Sequence, residues 1–319
     1  MTAAMLKPLN LLRKYLNSMP LPDLNTRLKT ILPEQYQDCF EELEPVSMGS
    51  AALKYDANGR VAWDQIWGSF CNLAMAGGPP HKGTLLLPGS PKEIEAEPAG
   101  YRDVVEETCR GIRMACDLAV DKSAFPGWIQ LHCETDAMAQ WMLRAIVVEN
   151  VAVRLTGESV LLPVGPRYRL EKEVKNVVTV TAKTSHYWLN HMSRQQHRMI
   201  GDLFARLNAQ TPLLEPSCGD GSGGPEANLS LSQRISDGLY AATGLRRSSH
   251  DYRDWIGVDC PSVNTAVWMM RALIASNVLS RRENQTLFIP LDSVHDPEGN
   301  EVIKRVETVH RIAQARSIG

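Results

Sequence analysis

Set against itself with an offset of 127 positions, the chain repeats its own pattern of rare residues. Trp128-Ile129 falls on Trp255-Ile256, and Cys133 falls on Cys260. Ala139, Trp141, Met142, Arg144 and Ala145 fall on Ala266, Trp268, Met269, Arg271 and Ala272. Asn150-Val151 meets Asn277-Val278, Arg154 meets Arg281, and Pro163 meets Pro290. The register runs without a gap back to Gly111 and Gly238. After a two-residue slip, Lys175, Val177 and Thr179-Val180 meet Lys304, Val306 and Thr308-Val309. Two tryptophans, a cysteine and two arginines in one register are hard to obtain by chance. The pattern therefore leads us to expect two copies of one unit, each roughly 130 residues long.

Each copy reads as the same series of elements, α-β-α-β-β-α. A helix (Val104–Val120 or Leu231–Leu245) is followed by a strand (Trp128–Cys133 or Trp255–Cys260) and a nearly all-apolar helix (Ala137–Asn150 or Val263–Asn277). Two strands then flank a polar turn at Thr156-Gly157-Glu158 or Glu283-Asn284-Gln285, and a long helix closes the unit (Leu170–Met192 or Asn300–Ala315). The expected class is α/β, with α+β as the alternative. The duplicated units would form a pseudo-two-fold dimer within one chain, as equivalent subunits do in homodimers. The domains expected are a helical extension over 1–45, copy one over 46–191 and copy two over 192–319. Asn58-Gly59, between Ala51–Tyr55 and Arg60–Trp63, signals a hairpin. Upstream the match weakens. Trp67-Gly68 is set against Ile200-Gly201 and Leu86-Leu87 against Leu213-Leu214, leaving about six extra residues in copy one near Ala76–His81.

Composition narrows the function classes. A net charge of −2 gives no bulk attraction for nucleic acid. No apolar run approaches the ~20 residues of a membrane span. Seven cysteines without a CxxC pair read as reduced thiols in a cytoplasmic protein. Leu6, Leu9, Leu12 and Leu16 suit a plain amphipathic helix better than a transit peptide. No P-loop, nucleophile elbow, HExxH or dinucleotide motif is present. Neither substrate nor cofactor can be named from the sequence.

Candidate chemistry follows from where the copies differ. Gly77-Gly78-Pro79-Pro80-His81-Lys82-Gly83 belongs to copy one alone. Its glycines allow positive φ or close backbone approach, and its prolines stiffen a loop that presents His81 and Lys82. His132-Cys133-Glu134 ends a strand whose counterpart reads Asp259-Cys260-Pro261. The end of a strand is where open α/β sheets place ligand groups. His186, Tyr187 and His191 sit on the closing helix of copy one without aromatic counterparts. His186 and His191, five apart, share a helical face poorly, so a metal site from them would need His132 or Cys133 as well. Arg144 and Arg271, midway along the apolar helices, read either as an anion clamp or as ion-paired structural residues. Asn150 and Asn277 read as helix-ending residues. Ser217–Pro225 reads as a surface loop or a lid.

The expected function is a small-molecule or cofactor-pathway (biosynthetic) enzyme. His81, His186 and Glu134 would transfer protons. Lys82, Gly77, Gly78, Arg144, Arg271, His132 and Tyr187 would bind an anionic ligand. The alternative is a non-catalytic binding or assembly protein, with a homo-oligomer as one possible form.

Overall fold

The computed structural model describes residues 21–38, 52–65, 72–217 and 225–316. The Leu6–Leu16 stripe, Trp67-Gly68 and residues 218–224 of the glycine-rich stretch lie outside the described residues. The chain divides into two compact units. One lies within Pro33–Ser193; the other joins the described residues of 21–32 with those between 194 and 316. The architecture is mixed helix and sheet, and no helix among the described residues is long and apolar enough to cross a membrane.

Helix α1 (Leu24–Ile31) precedes the first unit in the chain and belongs to the second. The first unit begins its regular structure with α2 (Pro91–Ala96) and α3 (Pro98–Cys116). A capping box starts α2: Ser90 Oγ accepts from Glu93 N–H, and the Glu93 carboxylate accepts from Ser90 N–H. Pro91 stands at its first position, where the missing N–H costs nothing. Helix α3 buries Tyr101, Val105, Thr108, Cys109, Ile112 and Cys116, a stripe at helical spacing, and closes at Asp117 with φ 53°.

Strands β1 (Val120–Lys122), β2 (Trp128–His132), β3 (Arg154–Thr156) and β4 (Ser159–Pro163) form a sheet of order β1-β2-β4-β3. Every pairing in it is antiparallel. Between β2 and β3 runs α4 (Asp136–Val147), capped by Thr135 Oγ1 accepting from Met138 N–H, and buried throughout Met138–Val147. A π-helical turn, Leu170–Val174, leads into α5 (Lys175–His191). The expected hairpin around Asn58-Gly59 shortens to a single bridge, Tyr55 to Val61, with Gly59 at φ 73°.

The second unit contains α1 (Leu24–Ile31), α6 (Arg194–Gln210), α7 (Pro225–Thr243), β5 (Arg246–Arg247), β6 (Trp255–Asp259), α8 (Val263–Ile274), β7 (Arg281–Glu283), β8 (Thr286–Pro290) and α9 (Asn300–Ala315). Its sheet order is β5-β6-β8-β7, again wholly antiparallel. Trp128 pairs with Pro163 as Trp255 pairs with Pro290. Ser262 caps α8 as Thr135 caps α4. Asn150 and Asn277 both take the left-handed conformation, at φ 61° and 62°. Arg154 lies over Trp128 at 4.9 Å, and Arg281 over Trp255 at 5.3 Å.

Several details differ from the sequence reading. Each sheet has a fourth strand, β1 or β5, that the α-β-α-β-β-α series lacked, and the helix expected to run to Val120 ends at Cys116. Leu86 bridges Val151 and Leu214 bridges Val278, so Leu214, not Leu213, matches Leu86. Helix α6 was not anticipated. It buries Ile200, Leu203, Phe204 and Leu207, whereas residues 72–83 of the first unit hold only a short 3-10 turn (Ala74–Ala76) and the glycine-proline loop.

Candidate functional site

That loop is fastened to the end of α4 by two consecutive residues. Glu149 Oε1 accepts from the Ala74 N–H at 2.9 Å, and Oε2 accepts from the His81 N–H at 2.8 Å. The Glu149 carbonyl accepts from Lys82 N–H at 3.2 Å. The Asn150 side chain donates to the Lys82 carbonyl at 2.8 Å, which its left-handed backbone permits. Gly77 turns the chain at φ 101°. Gly78 is required by proximity, because a Cβ there would lie 2.4 Å from the Asn72 carbonyl oxygen. A stiff loop is thus held at both ends by one helix terminus.

Beneath it lies a buried ion pair. Lys183 Nζ, on α5, is 2.7 Å from Glu149 Oε1, and the side chains are 1% and 0% exposed. A carboxylate that is removed from water needs this many donors, since burying an unpaired charge costs several kcal/mol. Both members are specific to the first unit: Glu149 falls on Ser276, and Lys183, in the slipped register, on Ile312.

His81 feels this arrangement. Burial holds its imidazole far below the ordinary range, at about 3, and the positive charges of Lys183, Lys82 and Lys175 act in the same direction. A hydrogen bond with the Asn176 side chain partly opposes them. Nδ1 is buried with no hydrogen-bond partner. At neutral pH the ring is uncharged, with an unsatisfied nitrogen near Lys82, Lys175 and the Glu149–Lys183 pair.

A second polar chain approaches from α5. Tyr36 donates to Asn72 Oδ1 at 2.6 Å and accepts from Tyr187, whose hydroxyl is 2.8 Å away. The Tyr187 ring is 5.0 Å from that of His191. His186 and His191 bring their Nε2 atoms within 3.2 Å, although the sequence spacing argued against a shared face. The reason is position: His191 is the last residue of α5, beyond which the backbone turns extended at Met192. Burial, then the neighbouring His191, lower the affinity of His186 for its proton.

The remaining candidates lie elsewhere. His132 and Glu134 are exposed at the N-terminal side of α4, about 18 Å along that 12-residue helix from the His81 loop. His132 Nε2 is 3.1 Å from Asp121 Oδ2, and Nδ1 is 3.3 Å from Ser159 Oγ. Burial and the adjacent Glu134 push the Cys133 thiol up to about 12, which disfavours a thiolate. The sheet is antiparallel, so the argument from the strand ends of an open parallel sheet does not apply to these residues. Arg144 is fully buried and donates to the Gln140 carbonyl and side chain at 2.9 and 2.8 Å, within its own helix. Arg271 is 1% exposed in the second unit. None of the predicted residues lines the cavity of about 290 Å³ on α3, where Tyr101, Val105 and Cys109 lie beneath Arg102, Arg113 and Lys122. We place the site by the loop and its chemistry and not by that hollow.

The sequence reading missed Glu149, Tyr36 and Asn72. Glu149 had a signal, an acid at the end of an apolar helix with serine 127 positions later. Tyr36 and Asn72 had none, because their partners are far along the chain. Comparison with protein-family models, with curated proteins and with solved structures found no match.

Proposed function

We propose that the unit within 33–193 binds a small anionic molecule at the His81 loop, and that His81 exchanges a proton with it as the acid–base group of an enzyme. The observation that carries this reading is the buried, unpartnered Nδ1 of His81 among Lys82, Lys175 and Lys183. An unmet buried polar atom costs about 1–3 kcal/mol, which a ligand donor restores. In the uncharged ring whose hydrogen is on Nε2, Nδ1 offers a lone pair to the ligand, and the nearby Asn176 side chain favours the charged form. A ligand bearing an acidic proton can give it to Nδ1, and its negative charge then stabilises the imidazolium among the lysines. Lys82 supplies a positive charge from the loop itself. Tyr187, Tyr36 and Asn72 supply an oriented hydrogen-bond chain on the α5 side.

In this reading the second unit is a diverged duplicate of the first. The like sheet orders, the shared left-handed asparagines and the repeated Arg-on-Trp contacts support it. The unit without the buried ion pair keeps the packing and has lost the site. A cytoplasmic setting for the reduced thiols belongs to the same proposal. His132 and Glu134, at the other end of α4, have no part in it.

Proton uptake tests the reading. Calorimetric titration of the full chain with inorganic phosphate and with succinate, in buffers of different ionisation enthalpy, should show binding coupled to uptake of up to one proton. Affinity should rise as the pH falls, because the charged ring binds the anion better. His81→Gln should remove the uptake and weaken binding at least tenfold, with an unchanged melting temperature at pH 8. Binding by neither probe, or binding indifferent to His81→Gln, would sink the proposal.

A further inference from the structure

The end of α5 carries a second constellation, independent of His81. His186 and His191 hold their Nε2 atoms 3.2 Å apart, with ring centres 5.0 Å apart and planes inclined at 68°. Zinc–nitrogen bonds of about 2.0–2.1 Å meeting at the tetrahedral angle place two ligating nitrogens about 3.3 Å apart, and their ring centres about 5.2 Å apart. A straight N–H···N hydrogen bond at the observed nitrogen separation would hold the centres about 5.5 Å apart, from the same ring dimensions. Both separations therefore fit two imidazoles converging on one ion.

We propose that His186 and His191 form a two-histidine binding site for a borderline divalent metal ion of the Zn²⁺, Cu²⁺ or Ni²⁺ class, joined through Nε2 of each ring. Imidazole is the ligand these ions favour. The back of one ring is already braced: Asn190 Nδ2 lies 3.0 Å from His186 Nδ1. A half-turn of that amide exchanges two atoms of similar size. Oδ1 then accepts Nδ1–H, and the lone pair is left on Nε2 for the metal. Such an outer hydrogen bond fixes tautomer and ring direction at histidine–metal sites. Both imidazoles are half-buried, so an ion can reach them from solvent. Among the described residues no three His, Cys, Asp or Glu side chains converge, and the site has two protein ligands with its other positions open to water or an exogenous group.

The test uses the full chain and the metal alone. One equivalent of Cu²⁺ should give a paramagnetic resonance spectrum with coupling to two imidazole nitrogens, a readout that needs no substitution. Zn²⁺ titrated against a chelating dye should bind once with an affinity that His186→Gln or His191→Gln lowers by more than about 100-fold. Asn190→Ala should fall within the roughly 10–100-fold loss expected for an outer partner. Copper bound through fewer than two imidazoles, or zinc affinity unmoved by both histidine substitutions, overturns the proposal and leaves an ordinary hydrogen bond between the rings. Neither result bears on anion binding at His81, so the two readings fail separately.

Discussion

Replacing Lys183 by methionine keeps much of the side chain's length and removes its charge, leaving Glu149 in an interior where neither partner is more than 1% exposed. The carboxylate retains the N–H groups of Ala74 and His81, but these are dipoles and do not neutralise it. Removing one member of a buried pair costs about 3–5 kcal/mol. For a unit of this size each kcal/mol moves the melting point by about 2–4 °C, so the expected fall is roughly 6–20 °C. Urea denaturation with tryptophan fluorescence reads the loss directly, and Trp188, on the same helix, is a nearby reporter. The double variant Lys183→Met/Glu149→Gln should recover part of the loss, because no uncompensated charge remains. Lys183→Met should also let the His81 ring hold its proton to higher pH, since one of the depressing charges is gone. A cost below about 1 kcal/mol, with no recovery in the double variant, would refute the argument that this pair governs the loop.

Acid stability should carry the signature of His81. Its folded value of about 3 lies below its ordinary 6.5, so its contribution is complete above pH 6.5 and is lost as the pH falls towards 3. By pH 5 the loss is about 2 kcal/mol, and His81→Gln should lack that component of the pH–stability curve measured by urea titration. Asn150→Ala and Asn277→Ala should each cost roughly 1 kcal/mol or more for the left-handed backbone alone, and each breaks a side-chain bond besides. Asn150→Gly should restore the backbone part, and equal melting curves for Ala and Gly at that position would contradict the conformational argument.

The helices and strands were legible where packing wrote them into periodic residues. The apolar helix read at Ala137–Asn150 is α4, and Asn150 ends that segment in the left-handed conformation. The two-strand turns at Gly157 and Asn284 likewise form, each with positive φ. Helix α6 was equally periodic, with Ile200, Leu203, Phe204 and Leu207 on one face, but aligning it with the loop region of the first unit hid that pattern. The site was harder to read because its bonds span long separations: Glu149 to Ala74, Lys183 to Glu149, Tyr36 to Tyr187. Residues such as Glu134 and His132 matched the criterion of being specific to one copy, yet that criterion carries no distance. The length of a single helix separates them from His81.

The ion pair of Glu149 and Lys183 is encoded once, in a chain that holds two units of like topology. In a symmetric homodimer every codon change appears in both subunits, and a buried charge would have to be tolerated twice. Here selection can act on Ser276 and Ile312 without touching Glu149 and Lys183. One unit can thus keep its packing unchanged while the other accumulates costly polar residues.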